Sequence, residues 1–151
     1  MARRRDPTEF LEMFATLRRC LTVVAAQAYA TLELGSTQGK FIRHIGQHTR
    51  SSQADLARAT GTDPTLTGRV LQTLIERGLV RRERSDEDRR EYVLELSAAG
   101  RRVQERVEKL RGQLAARVVA VLEERDLEDF DRIAKKILAA FEGPAPPDPK
   151  R

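Results

Sequence analysis

One cysteine, no tryptophan, five phenylalanines and two tyrosines in 151 residues set the first limits on this chain. The single thiol, Cys20, has no partner for an intrachain disulfide, and such cysteine usage suits a reducing compartment. With aromatics at 5 %, a core has to be built from Leu, Val, Ile and Ala, which favours packed helices over a sandwich. Hydrophobic residues still make up 40 % of the chain, enough for one domain-sized core, so disorder throughout is excluded. No apolar run approaches the roughly 20 residues of a membrane span. The start, "MARRRDPTEF", lacks the apolar stretch of a secretory signal, so the chain is expected in the cytoplasm and away from the membrane. Histidine is scarce too, at two residues, and no internal repeat is visible.

Charge is abundant by contrast. Charged residues make up 34 % of the chain and the formal net charge is +5. Both signs are spread along the sequence, so what matters is where arginines gather without acids. That balance permits a nucleic-acid partner without establishing one.

Apolar residues at Phe10, Phe14, Leu17, Leu21, Val24, Ala28 and Leu32 recur in steps of three and four, predicting a long amphipathic helix over 8–34 behind a basic leader, 1–7. Gly35 and Ser36 stop it, and a second helix with Phe41, Ile42 and Ile45 runs to about Gln47. Ser52 and Asp55 resemble a capping box opening a short helix, Gln53 to Ala59, that ends at Gly61. Asp63 as N-cap and Pro64 at the first position open the next helix, which closes at Gly78. Its expected inward face is Leu66, Val70 and Leu74 with help from Leu71, leaving Thr65, Arg69, Gln72 and Thr73 outward. Leu79 to Glu83 and Glu91 to Ser97 read as short strands around a charged loop. After Ser97, a further N-cap, near-heptad apolar spacing predicts a long helix to about Glu124, and Asp126 restarts a last helix with Phe130, Ile133, Ile137 and Phe141 on one side. The tail 143–151 carries no packing pattern.

Two short helices joined by a tight turn and followed at once by a charged hairpin form a helix-turn-helix with a wing, on a mainly α fold. Arginines on a narrow hairpin tip suit the negative potential of a minor groove, and a neighbouring acid such as Asp88 orders them beforehand. The second helix offers small, hydrogen-bonding side chains to a major groove.

The stretch "SSQADLARATGTDPTLTGRVLQTLIERGLVRRERSDEDRREYVLELSAAGRR" resembles the winged-helix core of MarR-type transcriptional regulators over about a third of the chain. "QADLA" opens the first helix, "LIERGLV" enters the hairpin, "DRR" lies on the wing and "LSAAGR" leads into the next helix. The resemblance implies an obligate homodimer with interlocking terminal helices whose two lobes read a pseudo-palindromic double-stranded DNA operator. Carried over by position, Thr65, Gly68 and Arg69 fall where such a recognition helix faces bases, and Arg90 falls on the wing arginine. Gly68 departs from the Thr or Ser common there, which implies a lost contact. The expected domain plan is a dimerisation helix over 1–34, a DNA-binding lobe over 35–97, dimerisation helices over 98–142 and a tail.

The expected DNA contacts are Thr65, Thr67, Arg69 and Gln72 for bases, Arg84, Arg89 and Arg90 with Asp88 on the wing, and Ser52 and Gln53 for the backbone. The resemblance further implies a small, often aromatic and anionic effector in a cleft near Tyr29, Phe41, His44 and Ile45, and release of a repressor when it binds. His44 and His48 have the spacing of a metal pair but no visible third ligand, so no metal or other cofactor is expected. Cys20 offers a thiol-sensing alternative, and a helical protein-interaction module is another. No placed base supports an enzyme.

Overall fold

The computed structural model describes residues 6–48, 50–85 and 92–142. Their elements are α1 (Pro7–Ala30), α2 (Ser36–Gln47), α3 (Gln53–Thr60), α4 (Pro64–Glu76), β1 (Val80–Arg84), β2 (Tyr92–Leu96), α5 (Ala98–Val119) and α6 (Glu124–Glu142). The expected mainly helical fold with a two-stranded wing is what forms.

Polar caps start these helices, at the expected Ser52, Asp63 and Ser97 and also at Asp6. The Asp6 carboxylate accepts from the Thr8 backbone N–H at 2.9 Å ahead of Pro7, and the Asp63 carboxylate accepts from the Thr65 and Leu66 N–H groups ahead of Pro64. Ser52 and Asp55 form a reciprocal capping box on α3. The Ser97 hydroxyl accepts from the Gly100 N–H at 3.0 Å and opens α5. α6 starts earlier than expected. Asp126 is not its first residue but reaches back from the first turn, its carboxylate accepting from the Glu123 N–H at 2.9 Å. α1 also ends earlier, at Ala30, in turns that carry Glu33 at φ 55°.

The chain divides into two units, Met1–Gly112 and Gln113–Arg151. In the first, Phe41, Ile42, Leu56, Leu71, Leu74, Val80, Leu94 and Val107 are fully buried. α2 is the hub, packing on α1, α3, α4 and β2. Gly61, at φ +60°, supplies the left-handed residue that turns α3 into α4. β1 and β2 pair antiparallel from Val80↔Leu96 to Arg84↔Tyr92, and the Leu94 N–H donates to the Ser51 carbonyl at 2.9 Å, tying the wing to the residues before α3. Gly100 is required where α5 meets the wing, since a Cβ there would fall 2.0 Å from the Leu79 carbonyl oxygen.

The second unit contains the end of α5 and all of α6. None of its residues is buried, and Phe130, Ile133, Ile137, Leu138 and Phe141 all expose apolar surface. Among the described residues no helix is long and apolar enough to cross a membrane.

Candidate nucleic-acid interface

α4 presents its outward face through a rotation that hydrophobic spacing alone does not give. Thr67 is 0 % exposed and Leu66 is 41 % exposed, the reverse of the expected pattern. The Thr67 hydroxyl donates to the Asp63 carbonyl at 2.9 Å, which satisfies it internally and lets its methyl join Leu71 and Leu74 in the core. Thr67 is therefore withdrawn from the expected base-contacting set. Thr65, Leu66, Arg69, Gln72 and Thr73 form the exposed face. Gln72 spends part of its amide on Glu76, donating at 2.9 Å, and the Thr73 hydroxyl donates to the Arg69 carbonyl at 3.2 Å. Among the described residues Thr65 and Arg69 give no side-chain bond to the protein, and both are exposed.

At the start of α3, Ser52 is committed to its cap. Its hydroxyl donates to the Asp55 carboxylate at 2.7 Å, and its backbone N–H donates to the same oxygen at 3.1 Å. These bonds, with the Arg58 guanidinium beside them, hold the Asp55 carboxyl below the usual carboxylate range. An anion at this helix start would have to compete with Asp55, which weakens the expectation of a Ser52 phosphate contact. Gln53 is engaged as well: its side-chain oxygen accepts from Arg82 on β1 at 3.1 Å.

The wing strand has two unlike faces. Arg81 lies 4.0 Å from Glu83 and 3.9 Å from Glu95, so that face largely neutralises itself. Arg82 and Arg84 lie on the other face, opposite Leu94 and Tyr92, and Arg84 stands 5.9 Å over the Tyr92 ring. Asp88, Arg89 and Arg90 lie outside the described residues. Sequence reasoning passed over Arg82. The alternation that sets it beside Arg84 was readable, but its pairing with Gln53, 29 positions away, was not.

The residues expected around an effector are mostly core. Tyr29, Phe41 and Ile45 are buried in the main cluster, the Tyr29 ring lying against Gly39, so they fill the lobe instead of lining an opening. Only His44 of that set is half-exposed. Its ring stacks on His48 with centroids 4.2 Å apart, and burial, then the neighbouring His48, lower its pKa. A ring nitrogen of His48 lies 3.1 Å from the His44 carbonyl, which turns it toward backbone instead of a shared ion. Cys20 is exposed on α1.

A sequence model described as the MarR family matches residues 34–91, from just before α2 to just before β2. Over that span the chain is similar to the MarR family. Over 97 residues it is 26 % identical to the HTH-type transcriptional regulator BilQ of Clostridium symbiosum, covering 64 % of this chain and 67 % of that protein. Its fold is similar to that of MepR from S. aureus, solved as a DNA complex (TM-score 0.75, 18 % identity, 85 % of this chain and 94 % of that one). It is likewise similar to S. aureus MarR, solved with salicylate and kanamycin (TM-score 0.78, 21 % identity, 89 % of this chain and 91 % of that one). What the chain shares with these solved structures is the winged-helix fold.

Proposed function

We propose that this protein is a MarR-type regulator that acts in the cytoplasm as a homodimeric repressor, occupies a pseudo-palindromic operator and is released by a small effector. The observation that carries the reading is the exposed face of α4, where Thr65 and Arg69 stand at the N-terminal half of a helix flanked by the cationic side of the wing. Arg69 reads guanine, Thr65 reads a base edge, and Leu66 adds an apolar contact suited to a thymine methyl. Arg84, Arg89 and Arg90 serve the minor groove or phosphates, with Asp88 ordering them. Residues 35–97 form the DNA lobe, and the flanking helices 1–34 and 98–142 dimerise.

The dimer is supported by the apolar surface left open on α1 and α6, where Phe10, Phe14, Leu17, Phe130 and Phe141 are all more than a third exposed. MepR was solved on DNA, and S. aureus MarR was solved with salicylate, which supports duplex binding and a small aromatic acid as an effector class. An effector that prefers a wrong spacing of the two recognition helices weakens DNA binding by that same preference.

Selection of bound sequences from random duplexes tests the reading. The expected product is an inverted repeat with half-sites about one helical turn apart, and recovery that falls when aromatic acids are added. Failure to retain any duplex in dilute buffer, or sedimentation as a stable monomer, would overturn it.

A further inference from the structure

Among the described arginines of the wing, Arg82 is the one held by a neutral side-chain acceptor, which orders it without cancelling its charge. We infer that Arg82 is a DNA-backbone contact aimed by Gln53, and that the missing side chain at Gly68 makes this arrangement possible. The inference rests on the DNA-binding reading above and adds to it a residue on the body of the wing instead of its tip.

Strand alternation supplies the first step. Successive side chains of β1 point to opposite faces, so Arg81 and Glu83 share one side with Glu95 while Arg82 shares the other with Leu94. On the first side the two acids lie within 4.0 Å of Arg81. On the second, among the described residues, no carboxylate pairs with Arg82, and its one bond goes to the neutral Gln53 side-chain oxygen at 3.1 Å. A neutral acceptor orders a guanidinium but leaves its full charge, and four of its five N–H donors stay available. The two residues border an open concavity with Ser52, Ala54 and Tyr92 between α3 and the wing. A phosphodiester oxygen placed there would meet a pre-ordered fork instead of a freely rotating chain, which reduces the ordering cost of the contact.

Gly68 completes the arrangement. A Cβ built on it would stand 3.4 Å from the Gln53 amide nitrogen, so that amide lies across α4 at the one position without a side chain. A Thr or Ser there would bring its Cβ into contact with the amide and add a γ atom beside it, narrowing the room that the amide has next to Arg82. The glycine thus exchanges a side chain on the recognition helix for a bridge from α3 to the wing.

The test is retention of scrambled-sequence duplexes by the full chain across a salt titration, where base contacts contribute little. Arg82→Ala is expected to weaken binding about tenfold and reduce the salt slope by about one, as loss of one phosphate contact requires. Arg82→Lys should recover most of the slope, and Arg81→Ala, on the neutralised face, should leave it unchanged. Gln53→Glu, which sets a carboxylate against the same guanidinium, should weaken binding with no loss of melting temperature. Gly68→Thr should weaken binding in the wild-type background and have no further effect beside Arg82→Ala. Equal slopes for wild type and Arg82→Ala, or equal losses for Arg81→Ala and Arg82→Ala, would overturn the inference while leaving DNA binding intact. A Gly68→Thr chain that binds like wild type would remove the positioning step. A wild-type chain whose retention ignores salt would instead defeat the underlying DNA reading.

Discussion

α4 and α6 carry the same kind of amphipathic pattern and meet opposite fates. α4 buries Thr67, Leu71 and Leu74 within its own chain, and what it exposes is polar apart from Leu66. α6 buries nothing, and its apolar row ends with Phe141 at 84 % exposure. Both helices are opened by an aspartate, Asp63 from the cap position and Asp126 from inside the first turn, so local signals do not separate them. What separates them is whether the rest of the chain supplies a covering surface. A helix that is apolar on one face and uncovered is incomplete, and in the proposed dimer a second copy completes α6.

The sharpest way to break that comparison is to make α6 polar. Phe130→Gln with Ile137→Gln removes two apolar side chains, and a two-fold interface counts each substitution twice. With about 1.5–3 kcal/mol for each apolar side chain buried, the dimer dissociation constant should rise by more than about a hundredfold. Sedimentation equilibrium should then report the mass of one chain at micromolar concentration. An unchanged dimer mass would show that the exposed row of α6 is not the dimer contact.

The same substitution logic applied to α4 should act on folding. Leu71 is fully buried in the lobe core, and Leu71→Ala should lower unfolding stability by about 2–5 kcal/mol, read by urea denaturation. Asp63→Ala should cost less, about 1 kcal/mol, because it removes only the acceptor for two backbone N–H groups and leaves the core in place. It also loosens the start of α4, so duplex affinity should fall with it in the same samples. A cap variant that melts and binds like wild type would mean that packing alone sets the recognition helix.

These contrasts also explain how much could be read from the residues. Caps are local chemistry, so Ser52, Asp63, Pro64 and Ser97 announced their helices, and Gly61 its turn. The winged-helix resemblance named the lobe for the same reason, since its signature is a run of such short-range choices. The facing of α4 was not legible, because hydrophobic spacing ranks Leu66 above Thr67 and cannot see that a back-bonded hydroxyl makes threonine a small core residue. Tyr29, Phe41 and Ile45 show the same limit: they are buried in the lobe core, and a residue near a site and a residue filling the core beside it have the same type. The Gln53–Arg82 bond and the approach of the Gln53 amide to Gly68 join three elements, and nothing local in the sequence encodes such a meeting.

The smallest expected effect sharpens the contrast by probing the lobe alone. His44 sits near the end of α2 and α6 has no histidine, so its protonation probes the first unit alone. Burial, the stacked His48 and Arg43 oppose protonation of His44, with Asp55 opposing them more weakly, and the net result is a lowered pKa. The unfolded chain takes up a proton near the ordinary value of about 6.5 while the folded lobe still does not. Between those two points the unfolded state binds more protons, so stability falls as pH drops below about 6.5, and the loss is complete once pH is below the folded value. At higher pH both states are neutral and the residue contributes no slope. His44→Asn should therefore flatten urea stability measured from about pH 7.5 to 5.5 by a fraction of a kcal/mol, an effect kept small by partial exposure. An identical acid slope in wild type and His44→Asn would place the dependence on other groups of the lobe.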